Sequence, residues 1–408
     1  MRKRLLLFST LIFPLVLLFS CTEGPVGIFA SIESEIQRDL DLGFADNSTV
    51  SSVFRVGDKY VAASGRVYIR SATAETAGEG AWSRIAGPTG YDVAADVAPL
   101  GSTVYGALSS TDGTNSRLFT LDPAAADPSW SEATTTGLES IDGASGLHPV
   151  SVGGTDELYL VATVESDAGQ AGGATVKGYS LYRSTDGSGF TEVISAGQLR
   201  ILDIIHDGTD YWAIDAQNIY RGAAVNGLAE VDTGLTLPSG TTFRGLFYGG
   251  PSGEEAVYIS TSTGYLVRFE DGSFSTQESA LSINEEAVSF SDVAYVEYED
   301  VALLLVGTDN HGYFQLTDGD DAGSQIDLTT IAPFANLPDQ AGTGGNYLPS
   351  ELSDGAVTTF FVDTSPAIMP VENAPTPPAG SPLVFAGTVG LGLWRNYYYQ
   401  DETLWVRE

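Results

Sequence analysis

Cysteine is all but missing from this chain: one residue in 408, Cys21. A disulfide framework is therefore excluded, and stability has to come from packing and sheet pairing. Histidine is nearly as scarce, with His148, His206 and His311 far apart and no two at ligand spacing, which argues against a transition-metal centre. Lysine occurs only at positions 3, 59 and 177, and 53 acids face 18 bases for a formal net charge of −35. Such a surface repels phosphate backbones, so nucleic acid is excluded as a partner. It fits a saline or alkaline milieu, or cation binding. Long amphipathic helices are scarce, and neither a nucleophile elbow nor a phosphate-cradling glycine loop ahead of a helix occurs. Glycine, by contrast, is plentiful at 47 residues. Short strands joined by glycine turns are the mixture this composition describes.

The N-terminus reads as a targeting segment. Met1–Arg4 is basic and Leu5–Phe19 is an apolar run too short to span a bilayer comfortably. It ends in Leu18-Phe19-Ser20-Cys21, which resembles a bacterial lipobox. That resemblance implies a signal peptide over 1–20, acylation of Cys21, and membrane attachment through that lipid alone. Removal of Arg2, Lys3 and Arg4 then moves the net charge from −35 to −38. Thr22-Glu23 lacks the aspartate that holds such lipoproteins at the inner membrane, so an extracytoplasmic site at the outer membrane or cell surface is expected. Residues 21–49 form the tether, with Ile28, Ile32, Ile36 and Leu40 spaced for one short helix over Ile28–Leu42.

From residue 50 to 408 one unit of four short strands recurs seven times. Its third strand is the clearest marker: Val67–Arg70, Arg117–Thr120, Ser180–Arg183, Asn218–Arg221, Tyr265–Arg268, Gly312–Gln315 and Gly392–Arg395. Five of the seven end in arginine. The second strand is small and apolar, as in Tyr60–Ala63 and Leu383–Thr388. The fourth carries one large residue, Trp82, Trp130, Phe190, Leu228, Phe274, Ile326 and Trp405 in turn. First strands stand out at Val93–Val97, Ile201–Ile205, Phe243–Phe247, Phe290–Tyr295 and Val357–Val362. Units of this length must pack face to face, which predicts an all-β, seven-bladed β-propeller of four-stranded blades. Leu404–Val406 supplies the last fourth strand, so closure needs none from the N-terminus.

Ser184-Thr185-Asp186-Gly187-Ser188-Gly189-Phe190 resembles an Asp-box (BNR-type) turn shortened by one residue, and Gly387–Arg395 is similar to the last-blade phrase of bacterial propellers of that class. The resemblance implies a structural turn between third and fourth strands and is compatible with enzymes and non-enzymes alike. Sialidases of that family need an arginine cluster, a tyrosine–glutamate pair and an acidic aspartate. Here the arginines fall at one repeated position away from the axis, where they suit neighbouring acids and turn carbonyls. Only Arg55 and Arg244 lie on first strands.

The expected function is a binding or scaffold module without catalysis, a monomer whose partner is a protein or an envelope glycan. Its candidate binding face comprises Arg55, Asp96, Asp203, Arg244 and Asp292 around the axial mouth. Two long insertions, Glu165–Gly178 and Thr329–Ser350, are expected to open on that face, and Asp363–Pro382 on the opposite one. The alternative is a glycan-acting enzyme using acids in the channel. No cofactor is expected; Asp207-Gly-Thr-Asp and the acidic run from Asp318 are the two places where calcium chemistry has oxygen ligands close together.

Overall fold

The structure is a computed structural model. It describes residues 49–73, 82–110, 115–166 except 134 and 140, 176–317 apart from short breaks at 198–199, 277–279, 284–285, 299–300 and 310, then 356–366, 376–398 and 405–408. The signal segment, Cys21, the expected helix over 28–42 and the insertion Thr329–Ser350 lie outside the described residues.

Seven antiparallel sheets follow one another along the chain, each a meander in which consecutive strands pair. Blade 1 is β1 (Ser52–Val56), β2 (Lys59–Ala63), β3 (Val67–Ser71) and β4 (Ser83–Ile85). Blade 2 is β5 (Tyr91–Leu100), β6 (Thr103–Ser110), β7 (Ser116–Leu121) and β8 (Trp130–Glu132). Blade 3 has the longest strands, β9 (Gly143–Val152), β10 (Thr155–Ser166), β11 (Val176–Ser184) and β12 (Thr191–Gly197). Blade 4 is β13 (Asp203–His206), β14 (Tyr211–Ile214), β15 (Ile219–Gly222) and β16 (Ala229–Glu230). Blade 5 is β17 (Phe243–Gly249), β18 (Ala256–Thr261), β19 (Leu266–Glu270) and β20 (Ser273–Thr276), followed by a small hairpin of β21 (Ser282–Ile283) and β22 (Glu286–Ala287). Blade 6 shows three strands among the described residues, β23 (Phe290–Tyr298), β24 (Val301–Thr308) and β25 (Tyr313–Thr317). Blade 7 is β26 (Val357–Asp363), β27 (Leu383–Thr388), β28 (Leu393–Tyr397) and β29 (Val406–Arg407). Ile326, the fourth-strand residue expected in blade 6, lies outside the described residues.

The first strand of every blade packs against the first strand of the next, and β26 returns to β1, so the sheets close into a ring. Blade 7 has its own fourth strand, and among the described residues ahead of β1 Val50 donates its N–H to the Thr388 carbonyl at 3.0 Å. Second strands are mostly buried, which is why they are small and apolar: β14, β18 and β27 are buried along their whole length. The first strand of blade 3, Gly143–Val152, has no counterpart in the sequence reading. Its two glycines, two serines and a proline give it little intrinsic strand preference.

The arginines on third strands follow a rule. Arg70, Arg183, Arg221, Arg268 and Arg395 stand directly across from Tyr60, Tyr159, Trp212, Tyr258 and Phe385 on second strands. Each pairs with a carboxylate: Arg183 with Glu157, Arg221 with Asp210 at 2.8 Å, Arg268 with Glu270 at 2.8 Å, and both Arg70 and Arg395 with Glu408. Glu408, whose carboxylate also accepts the Trp82 indole N–H at 2.9 Å, thus ties blade 7 to blade 1 across the closing seam. The large fourth-strand residues are nearly equivalent. The registers set Trp130, Phe190, Phe274 and Trp405 opposite the residue after the arginine position, whereas Trp82 faces Arg70 itself, one step off. Trp82, Phe190 and Trp405 are buried, and Trp130 and Phe274 half-buried.

Candidate functional site: the axial strands

All first strands run in the same sense, so each begins at one end of the ring, here the upper face, and ends at the lower face. Turns between second and third strands also open on the upper face. Near their upper ends the first strands bulge. In blades 2, 3, 5, 6 and 7 two inner residues face one on the second strand, at Ala94–Asp96, Ala144–Gly146, Phe243–Gly245, Phe290–Val293 and Val357–Thr359. An extra residue there twists the strand and re-aims the side chain after it.

The corresponding residue is Ser52, Asp96, Gly146, Asp203, Gly245, Asp292 and Thr359 around the ring, with continuous pairing in blades 1 and 4. The three aspartates do the same thing. One oxygen of each accepts the next N–H of its own strand, Val97, Ile204 or Val293, at 2.8 Å. The other reaches into the following blade and accepts the N–H of Leu147 at 2.8 Å, Leu246 at 2.8 Å and Phe360 at 2.7 Å. Carboxylates therefore clamp blade 2 to 3, 4 to 5 and 6 to 7. The matching position of the receiving blade is glycine in two cases, Gly146 and Gly245, and Thr359 in the third, whose hydroxyl adds a bond to Asp292. At Gly245 a Cβ would come to 3.1 Å from the Ser291 carbonyl and 3.9 Å from the Asp203 carboxylate. Hydroxyls serve the seams between blades 1 and 2, 5 and 6, and 7 and 1: Ser52 Oγ donates to the Val97 carbonyl at 3.2 Å, Ser260 Oγ to that of Ser291 at 2.9 Å, and Thr358 Oγ1 to that of Val50.

Burial sets the electrostatics here. Removal from water pushes the Asp292 carboxyl up to about 7, against the opposing pull of its two N–H donors, with the Asp203 charge adding to the rise. Asp96 is pushed up by burial too, partly offset by His148 and by the N–H groups of Leu147 and Val97. His148, on β9, is the group that sequence reasoning missed. Its ring sits over Gly146, and Nδ1 lies 3.5 Å from Asp203 Oδ1. The available signal was positional: two residues after the clamp position the other blades carry Phe54, Ala98, Ile205, Phe247, Ala294 and Phe361, all apolar.

Of the five residues proposed for the binding face, the structure brings Asp96, Asp203 and Asp292 together around the upper part of the axis. Arg244 is the bulged residue of β17, half-exposed on the same face and 3.3 Å from Asp309. Arg55 is elsewhere. It lies beside the turn between β1 and β2, on the lower face, where Nη1 donates to Asp363 at 2.8 Å and to the Ser365 carbonyl at 3.0 Å, and the Tyr60 hydroxyl donates to the same Asp363 at 2.6 Å. The start of the segment Asp363–Pro382 is thus tied down there. Glu165–Gly178 is shorter as an insertion than expected: Glu165 and Ser166 pair with Lys177 and Val176, leaving 167–175 as the loop. Asp207 is occupied as a turn cap, accepting the N–H groups of Thr209 at 2.8 Å, Asp210 at 2.7 Å and the Trp212 indole at 2.7 Å. The run from Asp318 lies outside the described residues.

The turn at Ser184–Phe190 is held by its own side chains. Ser184 Oγ accepts the Gly187 N–H at 2.9 Å, and Asp186 accepts those of Ser188 at 2.9 Å and Gly189 at 3.2 Å. These bonds hold the Asp186 carboxyl below the usual carboxylate range.

No family model matches the chain. No curated protein matches it either. Among solved structures it is similar to the extracellular domain of a B. thetaiotaomicron protein described as a one-component system, at 15% identity and TM-score 0.55 over 86% of this chain and 39% of that one. The chain therefore spans about two fifths of that domain's length. The periplasmic gluconolactonase of Pseudomonas aeruginosa aligns at 12% identity and TM-score 0.47, covering 88% of this chain and 95% of that one. Saccharomyces cerevisiae Sqt1 aligns at 13% and 0.48, covering 88% and 84%. These likenesses bear on the fold alone.

Proposed function

We propose that this chain is an extracytoplasmic, lipid-anchored propeller, of the Asp-box kind in its turn chemistry, that binds or scaffolds a protein or envelope glycan without catalysing a reaction. The observation that carries the non-catalytic reading is the occupancy of the axial acids: both oxygens of Asp96, Asp203 and Asp292 already accept backbone N–H bonds. A carboxylate so used holds blades together, with each oxygen already committed to a backbone N–H. Partner capture falls to the upper face, at the end of the ring where β10 and β11 are joined. Attachment through Cys21 is tested by Cys21→Ser, which is expected to leave the protein unprocessed or released from membranes. Mass spectrometry finding an unmodified Cys21 in membrane-associated mature protein overturns the anchor.

One observation favours the rival, a glycan-acting enzyme. Asp292, pushed up to about 7, holds a proton in the range where a general acid works. A panel of glycans hydrolysed by the wild type and not by Asp292→Asn would establish that reading in place of ours.

A further inference from the structure

We propose that His148 and the carboxylates around it form a pH-responsive clasp across the seam between blades 3 and 4. The other seams described above are closed by hydroxyl-to-carbonyl bonds or by an aspartate accepting backbone N–H groups. At the seam between blades 3 and 4 the axial link instead joins two titratable side chains, His148 on β9 and Asp203 on β13, 3.5 Å apart and partly shielded from solvent. The same two residues connect the neighbouring clamps. Asp96 grips Leu147, the residue before His148, and Asp203 grips Leu246. A polar chain thus runs from blade 2 to blade 5, and its middle link depends on a proton.

Asp203 from β13 and Asp96 from β5 favour the protonated imidazole, while burial and Arg200, just ahead of β13, oppose it; the carboxylates prevail and the histidine is raised above 6.5. Asp292 enters only through Asp203, whose charge it feels. A raised value in the folded state means the link's contribution is complete below 6.5 and is lost as pH rises through the folded value. Above it a neutral imidazole faces Asp203 and Asp96, and the seam between blades 3 and 4 slackens.

The full chain has three histidines, so histidine NMR gives three ring signals, and His148→Gln identifies one. The signal of His148 is expected to titrate above 6.5 and to move down in Asp203→Asn. Amide exchange of β9 and β13, corrected for intrinsic rates, is expected to quicken as pH rises through that midpoint in the wild type and to lose this response in His148→Gln. A midpoint at or below 6.5, or the same pH response in His148→Gln, overturns the clasp. Asp203→Asn also removes the clamp on Leu246; should it fail to fold, wild type and His148→Gln decide the question.

Discussion

At Asp292 two opposing effects meet on one side chain. Two N–H donors favour the charged carboxylate, burial and the Asp203 charge favour the neutral acid, and burial prevails. Because the folded-state value of about 7 lies above the ordinary 3.8, the group's contribution to stability is complete below 3.8 and is lost as pH rises through 7. Linkage bounds that loss at roughly 4 kcal/mol, and partial solvent access in the channel reduces it. Asp292→Asn cannot titrate, and its amide turns one N–H toward a backbone donor. It is therefore expected to be less stable than wild type at pH 5, with the gap narrowing by pH 8. Urea denaturation at the two pH values measures this; parallel curves would show that Asp292 does not take up a proton in this range.

The turn between β11 and β12 is the element whose sequence and geometry agree best. Gly187 has φ of +75°, and a Cβ there would sit 1.7 Å from the Tyr105 hydroxyl of blade 2. The glycine therefore serves both the turn and the fit between blades. Gly272, at φ +80° with nothing within 4 Å, serves only its turn. Gly187→Ala is expected to cost more than Gly272→Ala, roughly 2–4 against 1–2 kcal/mol, with Tyr105→Phe restoring part of the difference. Equal costs in denaturant melts would mean that Tyr105 moves aside freely. The turn, the second strands and the arginine-ended third strands were legible because each rests on local residue type. β9 was not, since Gly143, Ser145, Gly146 and Pro149 carry no strand signal and pairing with β10 alone makes them one. The axial acids were legible as inner-strand residues, but their partners, Leu147, Leu246 and Phe360, lie 51, 43 and 68 residues away. No local pattern reveals such a bond. Arg55 was placed with the wrong end of the ring for a related reason: residue type located its strand, but only the register with Tyr60 fixes which end of that strand it occupies.

For the whole molecule, the ring separates rigidity from variation. Among the described residues, the core lies between blades. Deleting 167–175, with Glu165 and Ser166 left to pair with Lys177 and Val176, is expected to weaken partner capture from native envelope while leaving the melting temperature nearly unchanged. Capture that survives this deletion, and deletion of 329–350 as well, moves the partner to the outer rim or the lower face. The Glu408 clasp has a consequence for how the molecule is made. Its carboxylate meets Arg70 across 338 residues of chain. Until position 408 has emerged, Arg70 and Arg395 lack the carboxylate they share in the folded ring, and breaking a buried ion pair costs about 3–5 kcal/mol. Early blades can form as they appear, but the ring can lock only after synthesis has passed that glutamate. The emerging chain thus stays openable until blade 7 arrives.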